Sequence, residues 1–585
     1  MIIPKTPSEN AEFLFLDSSY LLEYTIGNMY IKKTTATLAD GTKAKYLHLA
    51  QNYWDSEAQT SKTKIIHSFG REDKLDKEVL ERLVASINRY LHPGEEDFDF
   101  KKLAEQGGSS EFDFIWAKKL GGPWFLNELW QKLDFDSIIK KLVSDRNYEI
   151  DIERLIFTMV ANRALNPSSK LAIEDWVEDE VYIPGVKSVK SQNLYRAMDF
   201  LLECQKELEY KVFDSVAHMF NLEIDLLYFD TTSSYFEVDP REVPENDDFR
   251  KLGYSKDKRP GQVQIVIGLA VTRSGIPIKS WVWPGNTQDM SVIEEVKDDL
   301  VGWKLGRVIT VCDCGFGSDD NLRYLQRTGG HYIAGEKLRS KKKEVKEAMA
   351  RPGRYKDITE DLKVKEVTVG DGEARTRYVL VLNSEEAKKD KKQREEIISE
   401  IKDRLEHLRQ LPEEQHTKKM CELRSHKVFG KYLRQLKDGR LKLDKGQIRE
   451  EEKYDGKYIL KTSDDTLSVR DIVLGYRQLF QIEDAFRTIK SELDLRPNYH
   501  RLEKRIRSHV LLVWLALLLI RIAENETDMI WNRILKELNK LKIGKFIFNS
   551  SGVFQRTKVE KEQREIFDIL GIKLPPKYPK VEADL

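Results

Sequence analysis

The chain has 585 residues, of which 40% are hydrophobic and 34% charged, and its 98 Lys and Arg balance 98 Asp and Glu. This length predicts several domains with a sizeable core, and the composition fits a soluble protein with large solvated surfaces. Zero net charge gives no sign of nucleic acid, so only local charge can argue for such a partner. Four scattered cysteines exclude a disulfide framework, and a zinc site would need further ligands at suitable spacing.

The N-terminal region predicts a small β-sheet followed by helices. Strands are expected at 29–37, 45–50 and 62–69, and Asp40-Gly41 is a turn signal between the first two. Residues 76–92 and 112–220 read as mostly helical. Clear helical stretches lie at 75–91, 123–142, 151–164 and from Ser191 onward.

Residues 224–237 read Ile-Asp-Leu-Leu-Tyr-Phe-Asp-Thr-Thr-Ser-Ser-Tyr-Phe-Glu. The apolar run predicts a buried strand that ends at the carboxylate of Asp230, before a cluster of hydroxyl groups. A carboxylate at the end of a buried strand is costly unless it is paired, protonated or bound to a metal. The plain alternative is an aspartate that caps the following turn.

A second apolar strand, 308–312, ends at another carboxylate, Asp313, and a glycine turn follows it. Strands at 262–271 and 278–282 and a helix at 291–300 are expected between the two carboxylates. A polar loop precedes these elements, and its cations suit contacts with DNA phosphates, although a solvated loop is equally compatible. These cations are Lys256, Lys258 and Arg259.

A helix is expected from Ser468 to Lys490, and Ser468 with Asp471 resembles a capping box at its start. Tyr476, Leu479, Glu483 and Lys490 recur at helical spacing, which predicts that they share one face.

Two strand carboxylates and one helix glutamate make an oxygen cage that suits Mg²⁺. A pair of such ions can activate a water and stabilise the leaving oxygen in the cleavage of a phosphodiester. The residues therefore predict a metal site made by Asp230, Asp313 and Glu483.

At these residues the chain resembles the DDE transposases of bacterial insertion sequences, in the insertion-sequence-four superfamily. That family has a Tyr-Phe-Asp-Thr-Thr context, a Val-x-Asp-x-Gly context, and a signature of Tyr, two residues, Arg, three residues, Glu, six residues, Lys. Tyr476, Glu483 and Lys490 fall on the signature spacing, whereas Leu479 stands in the Arg position.

The resemblance implies an α/β fold with a ribonuclease-H-like mixed sheet as the catalytic core. In that fold the first and fourth strands are adjacent, which would bring Asp230 beside Asp313. It implies that Asp230, Asp313 and Glu483 are catalytic and bind Mg²⁺, with two ions expected and Mn²⁺ able to substitute. A loop containing Asn286, Thr287 and Asp289 is expected near the site without binding the metal. The expected DNA contacts are Tyr476, Lys490, Arg487, Arg477, Lys256, Lys258 and Arg259.

The spacing between Asp313 and Glu483 is longer than a compact core needs, which predicts a large insertion. Over 337–446 there are 31 Lys and Arg against 21 Asp and Glu, so this segment is a candidate DNA clamp or a solvated face. Strands at 363–369 and 376–382 and a long polar helix at 384–411 are expected in it. The predicted domains are a β module (1–75), a helical DNA-end-binding region (76–220), the first part of the core (221–337), a basic insertion (338–456), the second part of the core (457–525) and a polar tail (526–585).

The predicted function is that of a transposase which binds the ends of its element, cleaves DNA by metal-activated hydrolysis and joins the 3′-hydroxyls to target DNA. The alternatives are a ribonuclease-H-like nuclease without strand joining and an inactive DNA-binding derivative. Expected partners are the terminal inverted repeats and target DNA, and a homodimer on paired ends is implied. A cytoplasmic, nucleoid location is expected without a membrane, because the longest apolar run, 510–520, is too short to span one.

Overall fold

The computed structural model describes residues 29–37, 43–55, 60–75, 83–84, 86, 112–220, 225–237, 248–303, 309–340, 342–372, 375–548 and 551–582. The chain divides into two compact units. One contains residues 1–106 with 576–578, and the other contains residues 107–575 with 579–585.

The first unit contains an antiparallel sheet of β1 (Met29–Thr37), β2 (Lys43–Asp55) and β3 (Thr60–Arg71), in that order. All three strands predicted from the sequence are therefore confirmed. The predicted turn at Asp40 and most of the helix expected over 75–91 lie outside the described residues.

The second unit is built on a mixed sheet with helices around it. Its strands are β4 (Phe112–Lys119), β5 (Leu226–Tyr235), β6 (Gln264–Val271), β7 (Pro277–Pro284), β8 (Ile309–Cys312), β9 (His331–Glu336), β10 (Lys356–Asp357), β11 (Leu362–Val369), β12 (Thr376–Asn383), β13 (Leu433–Gln435), β14 (Leu441–Leu443), β15 (Lys457–Thr462), β16 (Lys542–Phe548), β17 (Ser551–Arg556) and β18 (Lys580–Glu582). Its helices are α1 (Gly121–Lys132), α2 (Phe135–Val143), α3 (Ile152–Leu165), α4 (Ser191–Glu203), α5 (Gln205–Met219), α6 (Ile293–Leu300), α7 (Asp319–Gln326), α8 (Lys343–Ala350), α9 (Ser384–Leu408), α10 (Glu413–Ser425), α11 (Lys445–Glu452), α12 (Val469–Arg477), α13 (Phe480–Ser491), α14 (Glu503–Thr527), α15 (Trp531–Leu538) and α16 (Lys561–Ile569), with a short helical segment at Ala172–Asp175.

Among the described residues, nine strands form the large sheet in the order β10-β11-β12-β15-β9-β8-β5-β6-β7. The β5–β8 and β8–β9 pairs are parallel, and the other neighbours are antiparallel. The expected adjacency of the first and fourth strands of the core is thus confirmed. Alternate residues of β5 enter cores on opposite faces of the sheet, which explains its near-continuous apolar run.

The two strands predicted in the inserted segment form, but they extend the central sheet, because β12 pairs with β15 along its length. Helix α8 of this segment lies outside the large sheet, and so do residues 384–456, which contain the long polar helix α9, two further helices and the β13–β14 hairpin.

Helix α14 is the central helix of the second unit and packs against α3, α4 and β7. It is 25 residues long, so it extends well beyond the apolar run 510–520 on which the sequence prediction rested. Among the described residues it alone has the length and composition to cross a membrane, and 94% of its apolar window is buried inside the protein.

A second sheet, of order β18-β17-β16-β4, joins residues 112–119 to the C-terminal region. The sequence analysis treated 112–220 as mostly helical and the tail as uninformative, and it missed this sheet. Its pairing is not local, since β4 pairs with β16, and no short-range pattern in either segment reveals such a partner.

Candidate active site

Two carboxylates meet where β5 and β8 run side by side. The register pairs Phe229 with Cys312, so Asp230 and Asp313 are the next residues on adjacent parallel strands. Asp313 follows the end of its strand, as predicted, and accepts a hydrogen bond of 3.3 Å from the Tyr476 hydroxyl.

Asp230 does not end its strand, and this prediction was wrong. β5 continues to Tyr235 because β6 goes on pairing with residues 231–235 after β8 has ended. The hydroxyl cluster Thr231–Ser234 is therefore part of the strand and is buried.

The side chain of Lys256 enters this acidic site from the loop before β6. Its ammonium lies 3.1 Å from a carboxylate oxygen of Asp289 and 4.0 Å from one of Asp230. It also donates hydrogen bonds to the carbonyl and the hydroxyl of Thr231, at 2.8 and 2.7 Å. The Thr231 hydroxyl in turn donates to Asp289. The site thus holds carboxylates from three segments, and the Lys256 ammonium lies near two of them, Asp230 and Asp289.

Burial raises the pKa of Asp230 to about 6. The Lys256 ammonium and the Thr231 N–H oppose this rise, and the negative charges of Asp289 and Asp313 add to it. A raised carboxyl pKa means that the folded state holds the proton more tightly than the unfolded state does. The resulting stabilisation is present below about pH 4 and is lost as the pH rises through about 6, where Asp230 ionises.

If Asp230 holds the metal expected from the sequence, its raised pKa makes metal binding depend on pH. Protonated Asp230 cannot bind a cation, so the Mg²⁺ concentration for half-maximal activity in a DNA cleavage assay should rise by up to about tenfold per pH unit below about pH 6. It should be nearly constant between about pH 7 and 8. Mg²⁺ titrations of cleavage at fixed pH values test this, and a midpoint that stays constant down to pH 5 would contradict it.

Glu483 lies on α13, which packs against β5 and β6. Its side chain is exposed, and it forms no hydrogen bond or ion pair with the described residues. Within those residues, no three His, Cys, Asp or Glu side chains are grouped closely enough to hold one metal ion. The structure therefore brings Asp230 and Asp313 together and leaves Glu483 apart from them.

The helix predicted from Ser468 to Lys490 is interrupted, so Tyr476 and Glu483 do not share one helical face. Ser468 caps α12 as predicted, but α12 ends at Arg477 and α13 begins at Phe480. The Tyr228 hydroxyl donates to the Gly475 carbonyl, which in a continuous helix would accept from Leu479. Leu479 donates instead to the Tyr476 carbonyl, and its side chain packs against the core.

The residues expected to contact DNA have different surroundings. Lys490 and Arg496 both pair with Asp257, whose side chain is only 4% exposed. Burial lowers the pKa of Lys490, and Asp257 opposes that shift. Lys490 is therefore occupied by an ion pair inside the protein.

The other cations expected to contact DNA differ in their ion pairing and in their exposure to solvent. Arg477 pairs with Asp361 at 3.2 Å, and Arg487 pairs with Asp484 while staying 75% exposed. Lys258 is exposed, and Arg259 is exposed above the ring of Tyr235, at 4.8 Å from its centre.

Sequence reasoning undervalued Asp289 and did not single out Asp257 or Thr231. Asp289 was expected near the site, but its contact with Lys256 was not. The loop Gly285-Asn-Thr-Gln-Asp289 carried a usable signal, because a carboxylate in a short turn after a buried strand resembles the context of Asp313. This loop, with Tyr254 and Lys256, lines a cleft of about 360 Å³ beside the carboxylates.

Comparisons with solved structures match nine chains. One, titled as the cryo-EM structure of a piggyBac transposase synaptic complex with hairpin DNA, is 13% identical, covers 71% of this chain and 78% of that chain, and has a TM-score of 0.33. A similarity at that score carries no argument about this chain. A comparison with curated proteins found no match.

Two family models match the chain. The model described as the transposase DDE domain matches residues 236–519, a range that includes Asp313 and Glu483 and begins shortly after Asp230. The model described as the IS1634 family transposase N-terminal domain matches residues 31–97. These matches support the prediction of a DDE transposase, and membership of the insertion-sequence-four superfamily stays a prediction. Residues 236–519 are similar to the transposase DDE domain, and residues 31–97 are similar to the N-terminal domain of IS1634 family transposases.

Proposed function

We propose that this chain binds the ends of an insertion sequence, cleaves DNA strands there by metal-activated hydrolysis and joins the 3′-hydroxyls to target DNA. The observation that carries the proposal is the parallel register of β5 and β8, which sets Asp230 beside Asp313 next to a match to the DDE domain. Within the proposal the large mixed sheet is a ribonuclease-H-like core.

The two adjacent carboxylates fit a hard divalent cation, because their oxygens are the ligands that Mg²⁺ prefers. Asp230 and Asp313 would hold it, and Glu483 is proposed as the third ligand, although it lies apart from them in this structure. Two Mg²⁺ ions, or Mn²⁺ in their place, would supply an activated water and would stabilise the leaving oxygen. Of the chain's own residues, Thr231 and Lys256 position the acids, and Tyr476 positions Asp313 through its hydroxyl.

The proposed partner is double-stranded DNA, both the terminal repeats and the target. Lys258 and Arg259 are exposed cations in the loop that carries Lys256, and Arg487 is an exposed cation on the same helix as Glu483. Such side chains can follow a DNA backbone. Cleavage and joining at two ends would require two copies of the chain, so a homodimer on paired ends is part of the proposal. The nucleoid is where such an enzyme would meet its DNA.

A joining assay separates this function from its alternatives. The full chain would be incubated with Mg²⁺, a labelled duplex carrying one element end, and a supercoiled plasmid. We expect a nick at the element boundary and transfer of the label to the plasmid. Cleavage without transfer would indicate a ribonuclease-H-like nuclease. Binding with neither reaction would indicate an inactive derivative, and a variant with Asp313→Asn serves as the matched control.

A further inference from the structure

Lys256 was expected to contact a DNA phosphate, but its surroundings point to another role. An ammonium group has three N–H donors, and acceptors lie in place for all of them. Two donors point to the carbonyl and hydroxyl of Thr231, and a carboxylate oxygen of Asp289 lies 3.1 Å away for the third. A phosphate contact would first have to break this arrangement.

The loop that carries Lys256 is fixed on both sides of it. The backbone N–H of Lys256 donates to the Ser233 hydroxyl at 3.0 Å, which ties the loop to β5. Before Lys256, Lys251 exchanges two backbone hydrogen bonds with Gln264 at the start of β6. Directly after Lys256, the buried side chain of Asp257 pairs with Lys490. The ammonium is therefore held inside the acidic site by the fold, with its side chain 28% exposed.

Two charges of the same sign cannot share this space without a large cost. The Lys256 ammonium lies 4.0 Å from Asp230, and a divalent ion bound to that carboxylate would lie within a few ångströms of it. Like charges a few ångströms apart repel each other strongly in a partly buried site, and a doubly charged ion is repelled more strongly than a singly charged one. The cation that stabilises the acids without metal thus opposes the binding of metal.

We propose that Lys256 is the resident counter-cation of the acidic site and competes with the divalent metal for Asp230. The inference rests on the proposed function, since it assumes that Asp230 and Asp313 hold the metal. In the protein without DNA, Lys256 partly neutralises the site and keeps its metal affinity low. Displacement of the ammonium is a step that metal binding requires.

The test measures Mn²⁺ affinity of the full chain without DNA, by the loss of the free Mn²⁺ signal in electron paramagnetic resonance. Lys256→Met should bind Mn²⁺ at least about tenfold more tightly than the wild type at low ionic strength. Lys256→Gln removes the charge but keeps a group that can hydrogen-bond to Thr231, so it should show the same direction even if Lys256→Met fails to fold. Lys258→Met is the matched control, because it removes an exposed cation from the same loop and should change the affinity little.

The higher Mn²⁺ affinity of Lys256→Met must also depend on Asp230. In the double variant Asp230→Asn with Lys256→Met, the increase in Mn²⁺ affinity should disappear. Unchanged or weaker Mn²⁺ binding by folded Lys256→Met and Lys256→Gln would overturn the inference, and so would an equal gain from Lys258→Met. If Asp230→Asn and Asp313→Asn alone leave Mn²⁺ binding unchanged, the proposed metal site itself fails, which is a different result.

Discussion

Asp230→Asn and Asp313→Asn should each lower DNA strand cleavage by about 1000-fold or more, which corresponds to about 4 kcal/mol of transition-state stabilisation. Each change removes one anionic oxygen from a pair that the register of β5 and β8 sets side by side. The catalytic charge in such a reaction comes from the metal, so the loss of one ligand should remove most of it. Binding of the element ends should stay close to that of the wild type.

The fold should survive both changes. Asn at position 230 can still accept the hydrogen bond from the Thr231 N–H, and the ionised carboxylate it replaces is disfavoured by burial. The matched control is Asp320→Asn on α7, whose side chain is 95% exposed, and it should cleave like the wild type. Gel assays of cleavage with circular dichroism of each variant are sufficient. Near-normal cleavage by either active-site variant would exclude that residue as a ligand.

Asp257→Asn should cost about 3 kcal/mol of folding free energy, the order found when one partner of a buried ion pair is removed. Asp257 is the shared partner of Lys490, at 2.7 Å, and Arg496. Without its charge these two cations would face each other with little water around Lys490, whose side chain is 12% exposed. Chemical denaturation followed by fluorescence measures the effect.

A double-mutant cycle shows whether Lys490 acts through Asp257 or through DNA. If the ion pair dominates, Lys490→Met should recover part of the stability lost in Asp257→Asn, because it removes one of the two stranded charges. Asp438→Asn is the control, since it breaks an exposed pair with Arg440 and should cost less than about 1 kcal/mol. Additive losses would argue against the coupling. If Lys490→Met weakens DNA binding while stability is unchanged, the phosphate contact expected from the sequence would be favoured.

The parts of the site that the sequence predicted depend on local pattern and on the resemblance to a known fold. The apolar runs before Asp230 and Asp313 identify buried strands, and the resemblance to a ribonuclease-H-like core implied that those strands lie side by side. The contact of Lys256 with Asp289 was not predicted, because the charge of Lys256 is visible in the sequence whereas its partner lies in a different loop. A cation in a polar loop is compatible with solvent, phosphate or a buried acid, and only the three-dimensional structure distinguishes them.

The helix around Glu483 illustrates a second limit. Helical spacing was correct for α12 and for α13 separately, and Ser468 was correctly identified as a cap. Where the helix is interrupted, the Gly475 carbonyl accepts hydrogen bonds from the Tyr228 hydroxyl of β5 and from the Gln478 N–H. Helical periodicity cannot predict a contact made by a residue on a distant strand. A pattern within one segment therefore could not predict that Tyr476 and Glu483 lie on two separate helices.

The pairing of β4 with β16 has a consequence for synthesis of the protein on the ribosome. β4 emerges early, but its partner strand follows only after the whole nine-stranded sheet has been made. The N–H groups of Leu120 and Gly121 both donate to the Leu541 carbonyl at 3.0 Å, and these hydrogen bonds can form only after Leu541 has been synthesised. Until then β4 is an open edge, and open edges recruit other chains. A nonsense mutation shortly before β16 would leave Asp230, Asp313 and Glu483 encoded, yet its product should aggregate instead of acting on DNA.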